Sequence, residues 1–444
     1  MQFIQSITRI SVLAAGIAGA LACGQAHAAA FQLKENSAKG QGRAFAGSIS
    51  APDDASVVGT NPAAMRLLDG RQFQFDVSTI RFSAKYSGEA HDALGRPLTG
   101  GNGGDAGMIA PLPSVYAHLP VGDKLHFGAS LMVPFGFETD YSRNWVGRYN
   151  GLRTKLQAVD LGVSMSYDVN PYVSFGVSVF AERLNVQLTN AVDFGGILAG
   201  SGVPGYLPAS ADGMSSLKGD NTQVGFTVGG LFSITDDTHI GINYRSQMVH
   251  KVTGGTVDFY VPGDAAAIFG ATRPGWFTDT KGRATITLPE LATISLTHRI
   301  NDQWSIMADV SRTAWSKFDS VRVHMNSGQP DNMLNFGYRD TTFASIGADY
   351  RLNDQLTLRG GLAYDQTPTT NEHRDVRVPD ASRKWVSLGL SWAPGEHAEY
   401  NIGYTHLFAS DPRIVDLTST TGTVLDGHYK VSSDILAASI NYKF

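Results

Sequence analysis

The chain has 444 residues, a formal net charge of −5 and a single cysteine, Cys23. This balance excludes a bulk basic field for nucleic acid, and one cysteine excludes a disulfide framework. With 42% hydrophobic and 10% aromatic residues, the chain suits either a soluble protein of several domains or a membrane β-barrel, whose apolar band hides in alternate residues.

Residues 1–28 read as a secretory signal peptide. Arg9 precedes the apolar stretch ISVLAAGIAGALA, and AHA supplies a small-residue cleavage site. The ALA box before Cys23 fits lipid attachment poorly. No later apolar run is long enough for a spanning helix. Residues 29–70 are rich in Gly, Ala and Ser and follow neither a strand nor a helix period. Strand-like segments fill 71–444, so the expected division is signal peptide 1–28, hatch 29–70 and transmembrane barrel 71–444.

The strand segments alternate cleanly. KLQAVDLGVSMSYDV places Leu161, Val163, Met165 and Tyr167 on one face, and KWVSLGLSWAP places Val386, Leu388, Leu390 and Trp392 on one face. The opposite faces carry mostly Ser, Gly, Thr, Asn, Gln and charge. Short turns fall at PVGDK, DVNPY, TDDTH, INDQW, LNDQL and APGEH, each built on turn-forming residues. Between them lie long polar stretches near 87–112, 134–154, 188–221, 251–290, 317–340, 366–381 and 410–430. Roughly six short turns alternating with seven long loops predict an all-β transmembrane fold, a barrel of about fourteen antiparallel strands with both ends periplasmic.

The last segment, SSDILAASINYKF, ends on Phe444 with Tyr442, Ile440, Ala438 and Leu436 on its face. That pattern resembles the C-terminal signal of outer-membrane barrels, so Phe444 is the expected contact for the barrel assembly machinery. A barrel this wide needs a filling or forms a pore. The economical place for 29–70 is inside it, where backbone polar groups can pair with lumenal side chains.

The stretch FQLKENSAKGQGRAFAGSISAPDDASVVGTNPAAM, with its FQ-L start, G-x-G-R-A, D-D-A and N-P-A, resembles the N-terminal hatch of the FadL-type long-chain fatty acid transporters. LPSVYAHLPV, LTNAVDFG and VPFGFETDYSRNWVGRYNGLRTKLQAVDL are similar to further segments of that family. The resemblance runs from the mature N-terminus to Phe444. It implies a fourteen-stranded barrel plugged by a hatch, and uptake of hydrophobic compounds by diffusion through a side opening at an inward kink in the third strand. Monomer is the family expectation, amid outer-membrane lipids and lipopolysaccharide.

Candidate residues follow. The hatch pattern singles out Phe31, Gly42, Arg43, Asn61, Pro62 and Ala63 as hatch or gating positions. Pro62 fixes its own φ and biases Asn61 towards extended geometry, and the Asn61 side chain can hold a turn. Binding a fatty acid needs a cation at the mouth of an apolar pocket, which nominates Arg148, Arg153, Lys155 and Lys317. Their bland alternative is pairing with loop carboxylates or with lipopolysaccharide. Two loops are unusually apolar, and Leu198, Tyr206, Leu207, Ile268, Phe269, Trp276 and Phe277 are expected to form a groove, or to pack on each other as a cap. Gly128, in KLHFGASLMVPFG, is the candidate for the strand kink.

GQGRAFAG is not a dinucleotide fingerprint, and neither H-E-x-x-H nor G-x-S-x-G occurs. No cofactor or metal is expected. The reading is therefore a non-enzymatic, passive outer-membrane transporter of hydrophobic small molecules, long-chain fatty acids first. Aromatic hydrocarbon uptake is the alternative, with a lipid hydrolase or protease barrel and a general porin behind it.

Overall fold

In the computed structural model, residues 30–52 and 54–444 are described. The expected signal peptide lies outside them, as does Cys23. No helix among the described residues is long and apolar enough to cross a membrane. The crossing is made by strands.

Fourteen antiparallel strands close on themselves. They are β1 (Gln72–His91), β2 (Ile109–Val121), β3 (Leu125–Asp140), β4 (Arg153–Asn170), β5 (Val173–Asp193) and β6 (Asp212–Thr235). Four strands with one break each follow. β7 is Thr238–Arg245 resuming as Met248–Tyr260, and β8 is Thr280–Leu288 resuming as Leu291–Arg299. β9 is Trp304–Thr313 resuming as Ser320–Met325, and β10 is Asn332–Asn335 resuming as Thr341–Arg351. β11 (Leu356–Asp365), β12 (Arg383–Trp392), β13 (Ala398–Ala409) and β14 (Val424–Lys443) complete the wall. β14 pairs with β1 from Gln72↔Lys443 to His91↔Val424, which removes both sheet edges.

All six short turns named from sequence connect neighbouring strands at one end of the barrel. The long stretches at the other end are shorter than expected. The segment 188–221, for example, holds the end of β5 and the start of β6, paired without interruption from Leu188↔Leu217 to Asp193↔Asp212. The ladder continues above the lipid-facing band, where polar Gln187 and Thr189 take the outward face while Leu188 and Leu217 pack inward on buried apolar residues, so the outward apolar stripe ends while the hydrogen bonds persist.

The outward faces match the alternation. Leu161, Val163 and Leu388 are 61%, 66% and 64% exposed, on the side that would meet lipid. Inward faces carry Asp76, Asp309 and Asp349, all buried against the hatch.

The hatch folds compactly because its residues are small. It contains α1 (Ala38–Gly42), capped by Ser37 Oγ accepting from the Gly40 amide at 3.0 Å, and the single turn α2 (Val57–Thr60). A 3₁₀ turn, Pro62–Leu67, starts on Pro62, where a missing N–H costs nothing. At Gly42 the backbones of hatch and wall nearly touch, since a Cβ there would lie 2.8 Å from the Cα of Gly389 in β12. Arg43 pairs with Asp349 at 2.9 Å, and the Gly47 amide donates to Asp309 at 2.6 Å. Lumenal carboxylates thus satisfy hatch donors that would otherwise be stranded away from water.

Candidate functional site

Three apolar spaces lie along the barrel from the outside inwards. The first is an external cleft of about 320 Å³ beneath the two apolar loops. Those loops carry α3 (Phe194–Gly200) and α4 (Gly263–Thr272). Leu198 and Phe269 are buried where the two helices meet, with Ile268, Tyr206 and Phe277 packed around them. Trp276 and Phe277 line the cleft, whereas Leu207 points away and is 53% exposed. The helices therefore cap each other and present an apolar wall at once.

The second space is a buried cluster in the upper lumen. Its centre is Phe31, fully enclosed, with ring centroids 4.6 Å from Trp315, 5.0 Å from Phe318 and 5.5 Å from Phe137. Trp315 and Phe318 come from the break in β9, where the 3₁₀ turn Trp315–Lys317 leaves the wall. Phe336 and Tyr338 come from the break in β10 and join the same cluster. Sequence reasoning missed these four aromatics. Phe318, Phe336 and Tyr338 fall in the stretch read only as the loop 317–340, and Trp315 lies just before it.

The third is a gap in the wall. β2 pairs with β3 only from Val115↔Leu131 to Val121↔Leu125. Beyond that point Ile109–Ser114 have no partner on β3. β3 shifts register against β4 between Met132 and Phe135 and turns inward. Its new partner is the hatch. The Leu33 amide donates to the Pro134 carbonyl at 2.8 Å, and Gly136 donates to Phe31 at 2.8 Å. The gap closes again where the Asp140 amide reaches the Ala106 carbonyl at 3.2 Å. Behind it Leu33, Ala110, Leu112 and Val133 share one apolar cluster. The irregularity is thus not at Gly128, which pairs regularly with His118 and with Ser164. Gly128 instead lets the hatch approach, because a Cβ there would lie 2.5 Å from Val58 Cγ1.

A model of the family described as "Outer membrane protein transport protein (OMPP1/FadL/TodX)" matches residues 19–444. The chain belongs to this family.

Among its relatives, the FadL-family barrel is similar to a long-chain fatty acid transport protein of Escherichia coli O6:H1, with 30% identity over 415 residues, covering 89% of this chain and 90% of that one. Its fold superposes on the crystal structure of a Pseudomonas aeruginosa FadL homologue with a TM-score of 0.87 at 28% identity, covering 93% of this chain and 99% of that one. The Ralstonia pickettii toluene transporter shares the fold at a TM-score of 0.64 and 22% identity, covering 93% of this chain and 99% of that one. Like its family, the protein resides in the Gram-negative outer membrane.

The hatch positions of this FadL-family barrel all contact the wall or the lumenal cluster. Asn61 Nδ2 donates to the Ile49 carbonyl at 2.8 Å and to the Gly230 carbonyl of β6 at 3.3 Å. Pro62 and Ala63 lie over Gly176, whose missing Cβ makes room for them, and Ser174 donates to the Ala63 carbonyl at 2.6 Å. Within the hatch, burial lifts the Glu35 carboxyl to about 7 and pulls the Lys34 ammonium below its ordinary value.

The four nominated cations do not converge on an apolar pocket. Arg148 is held by Asp212 at 2.8 Å, by the Thr99 and Trp145 carbonyls and by the Tyr149 hydroxyl. It braces the external loops. Arg153 and Lys155 both face Glu138, at 2.6 and 3.7 Å, on the cross-strand pair of β3 and β4. Lys317 is exposed at the β9 break. Parity explains the miss: in β4 the residues of the inner face are Leu156 and Ala158, so Arg153 and Lys155 belong to the opposite one.

Sequence reasoning also missed a buried charge cluster in the lumen. Arg245 spans Asp160 and Glu182, each at 2.7 Å, and His250 reaches Glu182 at 2.9 Å. Arg245 lines a smaller cavity, about 80 Å³, between the hatch and the bent part of β3. No local motif announces it, since its members come from three different strands.

Proposed function

We propose that this protein takes up hydrophobic small molecules passively, long-chain fatty acids first among them, and is not an enzyme. A molecule leaves water for the external cleft, moves into the aromatic cluster and displaces Phe31. It then exits sideways between β2 and β3 into the membrane. Burial of its tail supplies the driving force, about 25 cal/mol per Å² of apolar surface.

The observation that carries this reading is the pairing of Phe31–Leu33 with the inward part of β3. Phe31, which fills the aromatic cluster, and Leu33, which backs the wall gap, lie two residues apart on one segment, so one movement of that segment would empty the first and open the second. The fatty acid assignment draws on the similar Escherichia coli protein, named a long-chain fatty acid transport protein. Annular lipid and lipopolysaccharide would meet the outward apolar band, and exposed Phe444 would be read by the assembly machinery during insertion of a monomer.

The ring-rich lining of the lumenal cluster also suits aromatic hydrocarbons. Uptake of radiolabelled oleate, with toluene as competitor, in cells with and without the protein separates the two. Protein-dependent oleate uptake that ignores toluene is expected. Strong competition, or oleate uptake independent of the protein, would favour the hydrocarbon reading.

A further inference from the structure

With Arg148, Arg153 and Lys155 held by other partners, the head group of a fatty acid has no assigned site. Arg377 occupies the place where one is needed. It sits on the loop 366–382, which folds back into the barrel mouth. That loop is fixed from the wall side: Thr139 donates to the Arg377 carbonyl at 3.1 Å and Tyr141 to the Val376 carbonyl at 2.7 Å. Arg377 lines the external cleft, while its neighbour Val378 belongs to the lumenal cluster around Phe31. These two adjacent residues therefore mark the junction of the two apolar spaces.

The guanidinium is half engaged. Nη1 holds the Asp375 carboxylate at 3.0 and 3.1 Å. The side chain is only 9% exposed, and Nε is buried with no hydrogen-bond partner. A buried donor without a partner is costly, and the fork of an arginine matches a carboxylate in two parallel hydrogen bonds. The other charged residues lining the cleft are Arg273 and Asp331. Arg273 lies over the Trp276 ring at 4.8 Å, and Asp331 is taken by His324 at 2.8 Å and Arg322 at 3.6 Å.

We propose that Arg377 anchors the carboxylate of an acyl-chain substrate at the inner end of the cleft, and so selects charged amphiphiles over uncharged hydrocarbons. This rests on the transport reading above. Asp375 keeps the guanidinium oriented from one side, and the unpartnered Nε edge takes the ligand. The tail then has apolar surface on either side of the junction.

The test is equilibrium binding of oleate and of oleyl alcohol to the full-length barrel in detergent, in the wild type, in Arg377→Gln and in the double variant Arg377→Gln, Asp375→Asn. The double variant guards against a loop disturbed by an unpaired Asp375. Oleate affinity is expected to fall tenfold or more in both variants while oleyl alcohol stays within twofold. Unchanged oleate affinity in both variants, with the wild type binding both ligands, would overturn the anchor and leave the transport reading standing. Equal loss of both ligands would reduce Arg377 to a structural role and overturn it too. A wild type that binds neither ligand would overturn the transport reading and the anchor with it.

Discussion

The Leu33 amide donates to the Pro134 carbonyl at 2.8 Å, so the hatch is hydrogen-bonded to the one strand that leaves the wall. The consequence is mechanical. β3 beyond Leu131 has exchanged β2 for a short hatch segment as its edge partner. A strand added at an edge is held by a few backbone bonds and can be released without unfolding the sheet behind it.

Only residues near Phe31–Leu33 need to move in this scheme. Ser50 lies 2.7 Å from Ser295, hydroxyl to hydroxyl, between the main body of the hatch and β8. A disulfide in the Ser50→Cys, Ser295→Cys variant should therefore leave oleate uptake within about twofold of the reduced form. Uptake that falls on oxidation and returns with reductant would mean that the whole hatch moves.

Phe31 competes with any ligand for the aromatic cluster. Phe31→Ala removes that competitor and leaves a cavity the ligand can fill. Oleate should bind about tenfold more tightly, equivalent to about 1.4 kcal/mol, in a titration of the purified barrel. Weaker binding would instead make the ring part of the ligand's own pocket.

Asn61 joins two buried carbonyls, Ile49 within the hatch and Gly230 on the wall. In Asn61→Ala both lose a donor, at a cost of about 1–3 kcal/mol. The loss should appear as faster amide hydrogen exchange around residues 49–61 and a higher ion conductance in planar bilayers. A variant as tight as the wild type in both measurements would remove Asn61 as a latch.

Arg153 and Lys155 share Glu138 and are partly exposed. Pairs of that kind contribute at most about 1 kcal/mol. Arg153→Gln and Lys155→Gln should each leave oleate affinity within about twofold. A tenfold loss in either would restore the head-group role that their spacing first suggested.

The wall was legible in the chain itself. Strand alternation is a local property, since every second residue of Leu161–Tyr167 or Val386–Trp392 meets lipid whatever its neighbours do. Short turns such as PVGDK and LNDQL are local as well, so strand number and the sorting of loops by length could be counted directly. The hatch was legible because small residues before the first strand have only the lumen to fill.

The site was decided by contacts across the barrel. Phe31 meets Trp315 and Phe318, and Phe318 in turn meets Phe336, only because breaks in β9 and β10 turn those aromatics inward, and a break in a ladder has no period to detect. The bend in β3 follows a register shift against β4 and the loss of β2, which are relations between strands, so Gly128 was a poor guide to it. Charge behaves the same way. Arg153 and Lys155 look available in sequence, but register places Glu138 opposite them, while Arg377, one of two arginines in its loop, reaches the cleft through a fold-back that no local pattern encodes. Alternation fixes which face of the wall a residue occupies, and only closure of the barrel around its hatch determines what that face touches.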